Sequence, residues 1–384
     1  MATKDLKITD IKAYPTSFPV PKNAQVTLGI GTAIKRDAVV VKVTTAGGLV
    51  GWGESHHGRA HTAVAKLIET TLKGLVVGMD ASDVVGVWAK IYKNQLGSHG
   101  MGAGCCLAMS GIDCALWDIR GQAAGMPIYK LIGGAYRGLP AYAGGVSLGY
   151  QPAEELIAEL KPHLEAGYKA VKLRVGDTPK RDLQRIRAVR KHVGDEIEIL
   201  TDANTGYTVN DARAAMPEME DLSVAWLEEP FPAHDYVSYE LASTFSSTPL
   251  AAGENHYTRF EFNRVLEDGS ITVLQPDLSK TGGITEALRI AAMASAYKLR
   301  IHPHSSMTGL NQAASIHFLA AIENGGYFEA DISKANKFRD DLCSTPWKVD
   351  KDGNVWPLDK PGLGLEVDES FLEKHPPIEG PGYV

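Results

Sequence analysis

From about Ala141 onward the chain repeats one pattern: a short apolar run, then a longer stretch whose apolar positions recur with helical spacing. The runs end near Gly145, Arg174, Asp202, Glu228, Glu254, Asp277, His304 and Glu329. Helix-like stretches at 152–166, 180–192, 210–219 and 283–297 separate them. Eight such runs with short connections favour a closed parallel barrel over an open sheet. The first third reads differently. Segment 5–14 alternates like a strand, and runs 38–45 and 49–54 are joined by Ala46-Gly47-Gly48, a hairpin signal. Helical patterns follow at about 61–75, 81–95 and 104–123, so this part reads as an α+β unit. Beyond about 345 the chain is rich in proline, glycine and charge and has no clear period. It is too short to stand alone and is expected to pack back on the first unit.

A length of 384 residues suits two domains, or one barrel with an added domain. The net charge of −7 argues against nonspecific nucleic-acid binding, which needs a basic face. The four cysteines, Cys105, Cys106, Cys114 and Cys343, show no Cys-x-x-Cys spacing. They read as buried thiols in a reducing compartment. The polar start, Met1 to Lys7, has no signal-peptide core, and no apolar run approaches a membrane span. A cytoplasmic protein without membrane or nucleic-acid partners is expected.

Three acids change the picture. Asp202, Glu228 and Glu254 each close an apolar run, at intervals of 26 residues (228−202 and 254−228). That interval is about one strand-plus-helix unit, so the acids fall on consecutive strand ends, where barrels carry their chemistry. Carboxylates converging there repel unless a hard cation lies among them, and the spacing predicts a magnesium-type site. Asn204 shares a strand face with Asp202, whereas Glu229 lies on the opposite face from Glu228 and reads as structural. Lys172 and Arg174 are two apart on one run and point the same way. Two inward cations at a barrel mouth ask for an anion. Arginine keeps its proton and offers a planar fork to carboxylate, so Arg174 is expected to bind rather than to take a proton.

At this point the chain resembles the enolase superfamily, in its mandelate racemase-like subgroup. The resemblance rests on Val-Lys-Leu-Arg-Val-Gly (171–176), Thr-Asp-Ala-Asn (201–204), Trp-Leu-Glu-Glu-Pro (226–230), Ala-Gly-Glu-Asn (252–255), Gln-Pro-Asp-Leu-Ser-Lys-Thr-Gly-Gly-Ile-Thr-Glu (275–286) and Ile-His-Pro-His (301–304). Gly-Trp-Gly-Glu (51–54), Ala-Leu-Trp-Asp-Ile-Arg-Gly (115–121) and Pro-Gly-Leu-Gly-Leu (361–365) fit outside the barrel, so nearly the whole chain is covered. The resemblance implies an α/β fold: a (β/α)7β modified TIM barrel over 136–340, an N-terminal α+β capping domain over 1–135, and a C-terminal segment, 341–384, completing the cap. It implies one magnesium ion per subunit, held by Asp202, Glu228 and Glu254. It also implies proton abstraction next to a substrate carboxylate to give an enediolate, and a homo-oligomer, dimer or octamer.

Residue by residue, Lys172 matches the group that contacts the substrate carboxylate. Many relatives carry Lys-x-Lys here, and Arg174 departs from that pattern. Asp277 and His304 match a dyad in which the acid orients the imidazole and raises its proton affinity. Glu329 matches an acid that bonds the substrate carboxylate, or donates to the intermediate if protonated. Lys280 is expected beside the metal-site carboxylates. His302, two residues before His304, is a rival base, a substrate contact or a satisfied core histidine. Specificity is assigned to two cap loops, 16–32 and 55–60, the second with His56 and His57.

These residues lead to dehydration of an aldonic or aldaric acid, with His304 as the single base. A racemase or epimerase with Lys172 as opposite base is the alternative, as is a lactone cycloisomerase. A metal hydrolase built on His302-Pro303-His304 and a non-catalytic homologue complete the set.

Overall fold

The structure is a computed structural model and describes residues 5–384; the polar start lies partly outside them. The chain begins with a three-stranded antiparallel sheet, β1 (Ile8–Pro19), β2 (Lys35–Thr45) and β3 (Val50–Ser55), ordered β1-β2-β3. The β2–β3 turn falls on the expected Ala-Gly-Gly. Strand β1 runs five residues past the expected end at Tyr14 (19−14), through Pro15 and up to Pro19. Proline lacks an N–H for the ladder and reads as a break; β1 is an edge strand, where that lack is tolerated. The helices α1 (His61–Leu67) and α3 (Ala103–Ala124) cover this sheet, and α2 (Val84–Ile91) packs on α3. Helix α3 is buried along almost its whole length, which is why its sequence shows no polar stripe.

The barrel strands are β4 (Leu139–Gly144), β5 (Ala170–Arg174), β6 (Glu198–Asp202), β7 (Val224–Glu228), β8 (Leu250–Ala252), β9 (Ile271–Leu274), β10 (Arg300–Ile301) and β11 (Phe328–Asp331). All are parallel, in the order β10-β9-β8-β7-β6-β5-β4-β11. The parallel bridge Ile301–Gly325 brings the two ends of that order together. Seven helices link successive strands: α4 (Ala153–Glu165), α5 (Pro179–Val193), α6 (Val209–Asp221), α7 (Tyr236–Ala242), α8 (Thr258–Asp268), α9 (Gly283–Ala296) and α10 (Gly309–Ala321). Eight strands and seven helices make the (β/α)7β arrangement.

The final segment lies against the first unit. Thr16 Oγ1 donates to His375 O (2.6 Å), Leu363 N donates to Asp118 Oδ1 (2.8 Å), and Thr32 N donates to Val384 O (2.7 Å). All four cysteines are buried and unpaired. Among the described residues, no helix is long and apolar enough to cross a membrane.

Candidate active site

Inside the barrel the two-residue pleat stacks side chains in layers. The lowest is an aromatic plug. Trp226 and Tyr142 meet edge to face at 5.8 Å between ring centres, with Tyr327 beside them. Two residues on along β5, β7 and β11 stand Lys172, Glu228 and Glu329, forming a charged layer. Lys172 Nζ lies 3.0 Å from Glu228 Oε1 and 2.9 Å from Glu329 Oε1, with no side-chain exposure. Above it lie Arg174, Asp202, Glu254 and His304, beneath a cavity of about 220 Å³. On β7 the change from aromatic to ionic is written as alternate residues, Trp226 and Glu228.

Strand ends Arg174, Asp202 and Glu228 fall where the pattern puts them. Glu254, Asp277 and His304 do not: β8, β9 and β10 stop at Ala252, Leu274 and Ile301, and these three groups sit in the following turns. Turn geometry, rather than the pleat, aims them. The same holds for Asn204, which has φ +43° and folds back so that its N donates to Asp202 Oδ1 (2.8 Å).

Arg174 donates to Asp202 Oδ2, to Asn204 Oδ1 (3.2 Å) and to the Gly145 carbonyl. Burial works against its charge, but Asp202 and the neighbouring acids raise its pKa further. Lys280 lies 2.8 Å from Glu254 Oε2. His304 Nδ1 lies 2.6 Å from Asp277 Oδ2, and its Nε2 lies 3.0 Å from Glu254 Oε2. Asp277 is itself held: its Oδ1 accepts from Ser279 N (2.7 Å), Ser279 Oγ (2.6 Å) and Asn311 Nδ2 (3.0 Å). Burial alone would lower the His304 pKa; Glu254, Glu329 and Asp277 more than offset it and hold the pKa well above the ordinary value.

Glu329 is likewise buried, yet Lys172, His304 and Arg174 pull it down to about 2. Its closest partner is Lys172, with which it forms a buried ion pair. Lys172 is held protonated: burial opposes its charge, but Glu228 and Glu329 outweigh that. His302 does not reach the cavity. Its ring packs on Trp226 at 5.1 Å, its Nδ1 accepts from Tyr327 N (3.0 Å), and burial lowers its pKa to about 3. Of the readings open to it, its surroundings are those of a core histidine in the aromatic plug. His56 and His57 do line the cavity, and burial keeps both neutral. Glu229, expected to be structural, also lines it, because a left-handed φ of +37° turns it out of the strand alternation. Asn255 Nδ2 donates to it at 2.8 Å. Sequence reasoning missed Arg59, Met307 and Tyr383, which line the cavity from the cap loop, the β10–α10 turn and the final segment.

Among the described residues, no three acids or imidazoles gather on one point. Lys172, Arg174, Lys280 and His304 lie among the carboxylates. The charge balance still fits a divalent cation. Five buried carboxyl groups (Asp202, Glu228, Glu229, Asp277, Glu329) and the part-buried Glu254 share the site with three fixed cations (Lys172, Arg174, Lys280). The crowding is visible in Glu228, raised to about 7 by burial and by Asp202 and Glu329, even with Lys172 beside it. Asp202, Glu228 and Glu254 supply hard oxygens from neighbouring strands, the donor chemistry magnesium takes.

Comparison with known proteins decides the family. The mandelate racemase/muconate lactonizing enzyme N-terminal domain matches residues 11–133, and the enolase C-terminal domain-like family matches 155–371. The chain belongs to the mandelate racemase-like group of the enolase superfamily. An arabinonate dehydratase from Saccharolobus solfataricus is 32% identical, over 96% of this chain and 99% of that one. A crystal structure of an enolase superfamily member from Polaromonas sp. JS666 is 55% identical, with a TM-score of 0.96, covering 98% of this chain and 100% of that one. A racemase from Streptomyces coelicolor with bound magnesium is 29% identical, with a TM-score of 0.87, covering 96% and 99%. As a mandelate racemase-like protein the chain is an enzyme of the lyase or isomerase kind. Its barrel and cap are those of the superfamily.

Proposed function

We propose that the protein is a magnesium-dependent dehydratase of an acid sugar, aldonate or aldarate, giving a 2-keto-3-deoxy acid with His304 as the base. One observation carries this reading. The cavity has an imidazole on one wall and, three strands round the ring on β5, a guanidinium on the other. Arginine cannot serve as a base, so one face of the substrate has a proton acceptor and the facing strand does not. Elimination needs one base; inversion at carbon needs one on each face. The dehydratase activity of the Saccharolobus relative supports the same reading.

Arg174 and Lys280 would receive the substrate carboxylate, and Asn204 and His56 would bond its hydroxyls. Asp277, fixed by Ser279 and Asn311, keeps the His304 tautomer with Nε2 towards the cavity. His304 takes the proton at C2. The electron pair forms the C2–C3 double bond as the C3 hydroxyl leaves with that proton as water. The enol product then tautomerises to the keto acid. Bound by Asp202, Glu228 and Glu254, magnesium would offset charge gathering on the substrate carboxylate and draw on the Glu254 charge that here favours protonated His304.

Racemisation with Lys172 as second base is the other reading, supported by the Streptomyces racemase. Against it, Lys172 lies beneath the cavity, tied between two carboxylates. A screen of acid sugars with magnesium tests the choice. Keto acid is expected; α-proton exchange in heavy water without keto acid would sink elimination. Calorimetry with magnesium should show binding that Glu254→Gln weakens at least tenfold. We also infer a cytoplasmic homo-oligomer, testable by fractionation and by light scattering.

A further inference from the structure

On one side the cavity adjoins a second, smaller hollow; Arg59 and Tyr383 line both, whereas Arg174, Lys280 and His304 line the first alone. Four groups lining the first can carry positive charge: Arg59, Arg174, Lys280 and His304. Three of these have a carboxylate partner: Asp202 for Arg174, and Glu254 for both Lys280 and His304. Arg59 has no carboxylate within ion-pair reach among the described residues. Its guanidinium lies over the Tyr383 ring, 5.4 Å from the ring centre. Stacking on a ring face leaves the planar N–H edge free to donate.

Both residues are fixed in place. Gly58 and Arg59 are consecutive left-handed residues (φ +52° and +58°), and Arg59 N donates to His57 Nδ1 at 2.9 Å. A turn alone would be served by glycine or asparagine; an arginine in that conformation points to a task for its side chain. Tyr383 is seated by its bridge to Ala33 and by Ile34 N donating to Gly382 O (2.9 Å). Leu28, Ile30, Val146 and Met307 are the apolar part of the lining. A sugar chain with its first carboxylate at Arg174 and Lys280 that extends towards the adjoining hollow would meet a guanidinium without an acidic partner.

We propose that Arg59, stacked on Tyr383, is an anion subsite, and that the substrate is a dicarboxylate whose second acid group it binds. This rests on the acid-sugar reading for the first carboxylate. One guanidinium matches the single charge and two oxygens of a carboxylate as a fork. A neutral primary alcohol there would leave the fork half used.

The test compares the six-carbon sugar diacids with their matching monoacids, each pair differing only in oxidation at C6. Affinities are measured by calorimetry on the full chain with magnesium present, and keto acid is followed in parallel. The wild type should bind at least one diacid roughly tenfold tighter than its monoacid, the scale of one charged hydrogen bond. Arg59→Met should bring that ratio to about one, and Arg59→Lys should retain part of it. The subsite is overturned if no diacid is preferred, if the preference survives Arg59→Met, or if that variant weakens both probes alike. A diacid preference without any keto acid would leave the subsite standing and sink the elimination reading instead.

Discussion

His304 and Arg174 divide the labour at the level of single side chains. His304 has both ring nitrogens engaged, Nδ1 by Asp277 and Nε2 by Glu254. His304→Asn removes the group that exchanges protons but none of the three expected metal carboxylates. Turnover should fall by roughly 10²–10⁴, while calorimetry still reads magnesium binding. Loss of both would mean that His304 chiefly holds Glu254 in position. At Arg174 the relevant property is an inability to lose a proton. Arg174→Lys puts a titratable amine among the same acids, so α-proton exchange in heavy water should rise relative to keto acid. An unchanged ratio would show that the second wall plays no part in choosing the reaction.

At the scale of elements, α10 connects the cap to the dyad. Thr308 caps its N-terminus, accepting from Leu310 N (3.1 Å), and its own N donates to Glu54 Oε2 of β3 (3.0 Å). One turn on, Asn311 bonds Asp277. Thr308→Ala should cost about 1 kcal/mol, the usual worth of an N-cap, read by urea denaturation. The element scale is also where the sequence was most legible. Asp202 and Glu228 end true strands, so the interval of 26 residues and the pleat placed them. Glu254, Asp277 and His304 were found by the same rhythm, although turns carry them. At His302 alternation could not choose between cavity and core, because the strand has ended at Ile301. Arg59 and Tyr383 were beyond reach for another reason. They meet only because the chain returns to its own first unit after more than 300 residues (383−59), and no local period records that.

For the whole molecule, cap and barrel share one continuous apolar core, and buried hydrogen bonds cross the seam between them. Asp113 of α3 accepts from Thr285 N (2.9 Å) at the start of α9, Ser110 Oγ accepts from Gly282 N (2.9 Å), and Trp117 Nε1 donates to Thr285 Oγ1 (2.9 Å). Burial pushes Asp113 up to about 7, against those hydrogen bonds. Its folded pKa lies above the unfolded value, so the folded state holds the extra proton between about pH 4 and pH 7. Its contribution to stability is therefore present below pH 4 and is lost as pH rises towards 7. Asp113→Asn removes that loss, so the variant's melting temperature relative to wild type should rise between pH 5 and pH 8. A difference that stays flat with pH would show that Asp113 is ionised throughout.

The same seam bears on how such an enzyme can change its substrate. A Cβ at Gly283 would lie 2.3 Å from Asp113 Oδ2, and one at Gly29 of the cap loop would lie 2.4 Å from Ala203 O of the barrel. Cap and barrel thus mate like a key cut for one lock, and His56 N, bonded to Ser279 O (3.0 Å), ties the cap loop to the turn holding Asp277. A cap transplanted whole from a relative would have to bring a matching notch with it. Retuning is open chiefly to the few side chains hanging from the loops, so diversification in this lineage should proceed by point changes at the rim and not by shuffling of domains.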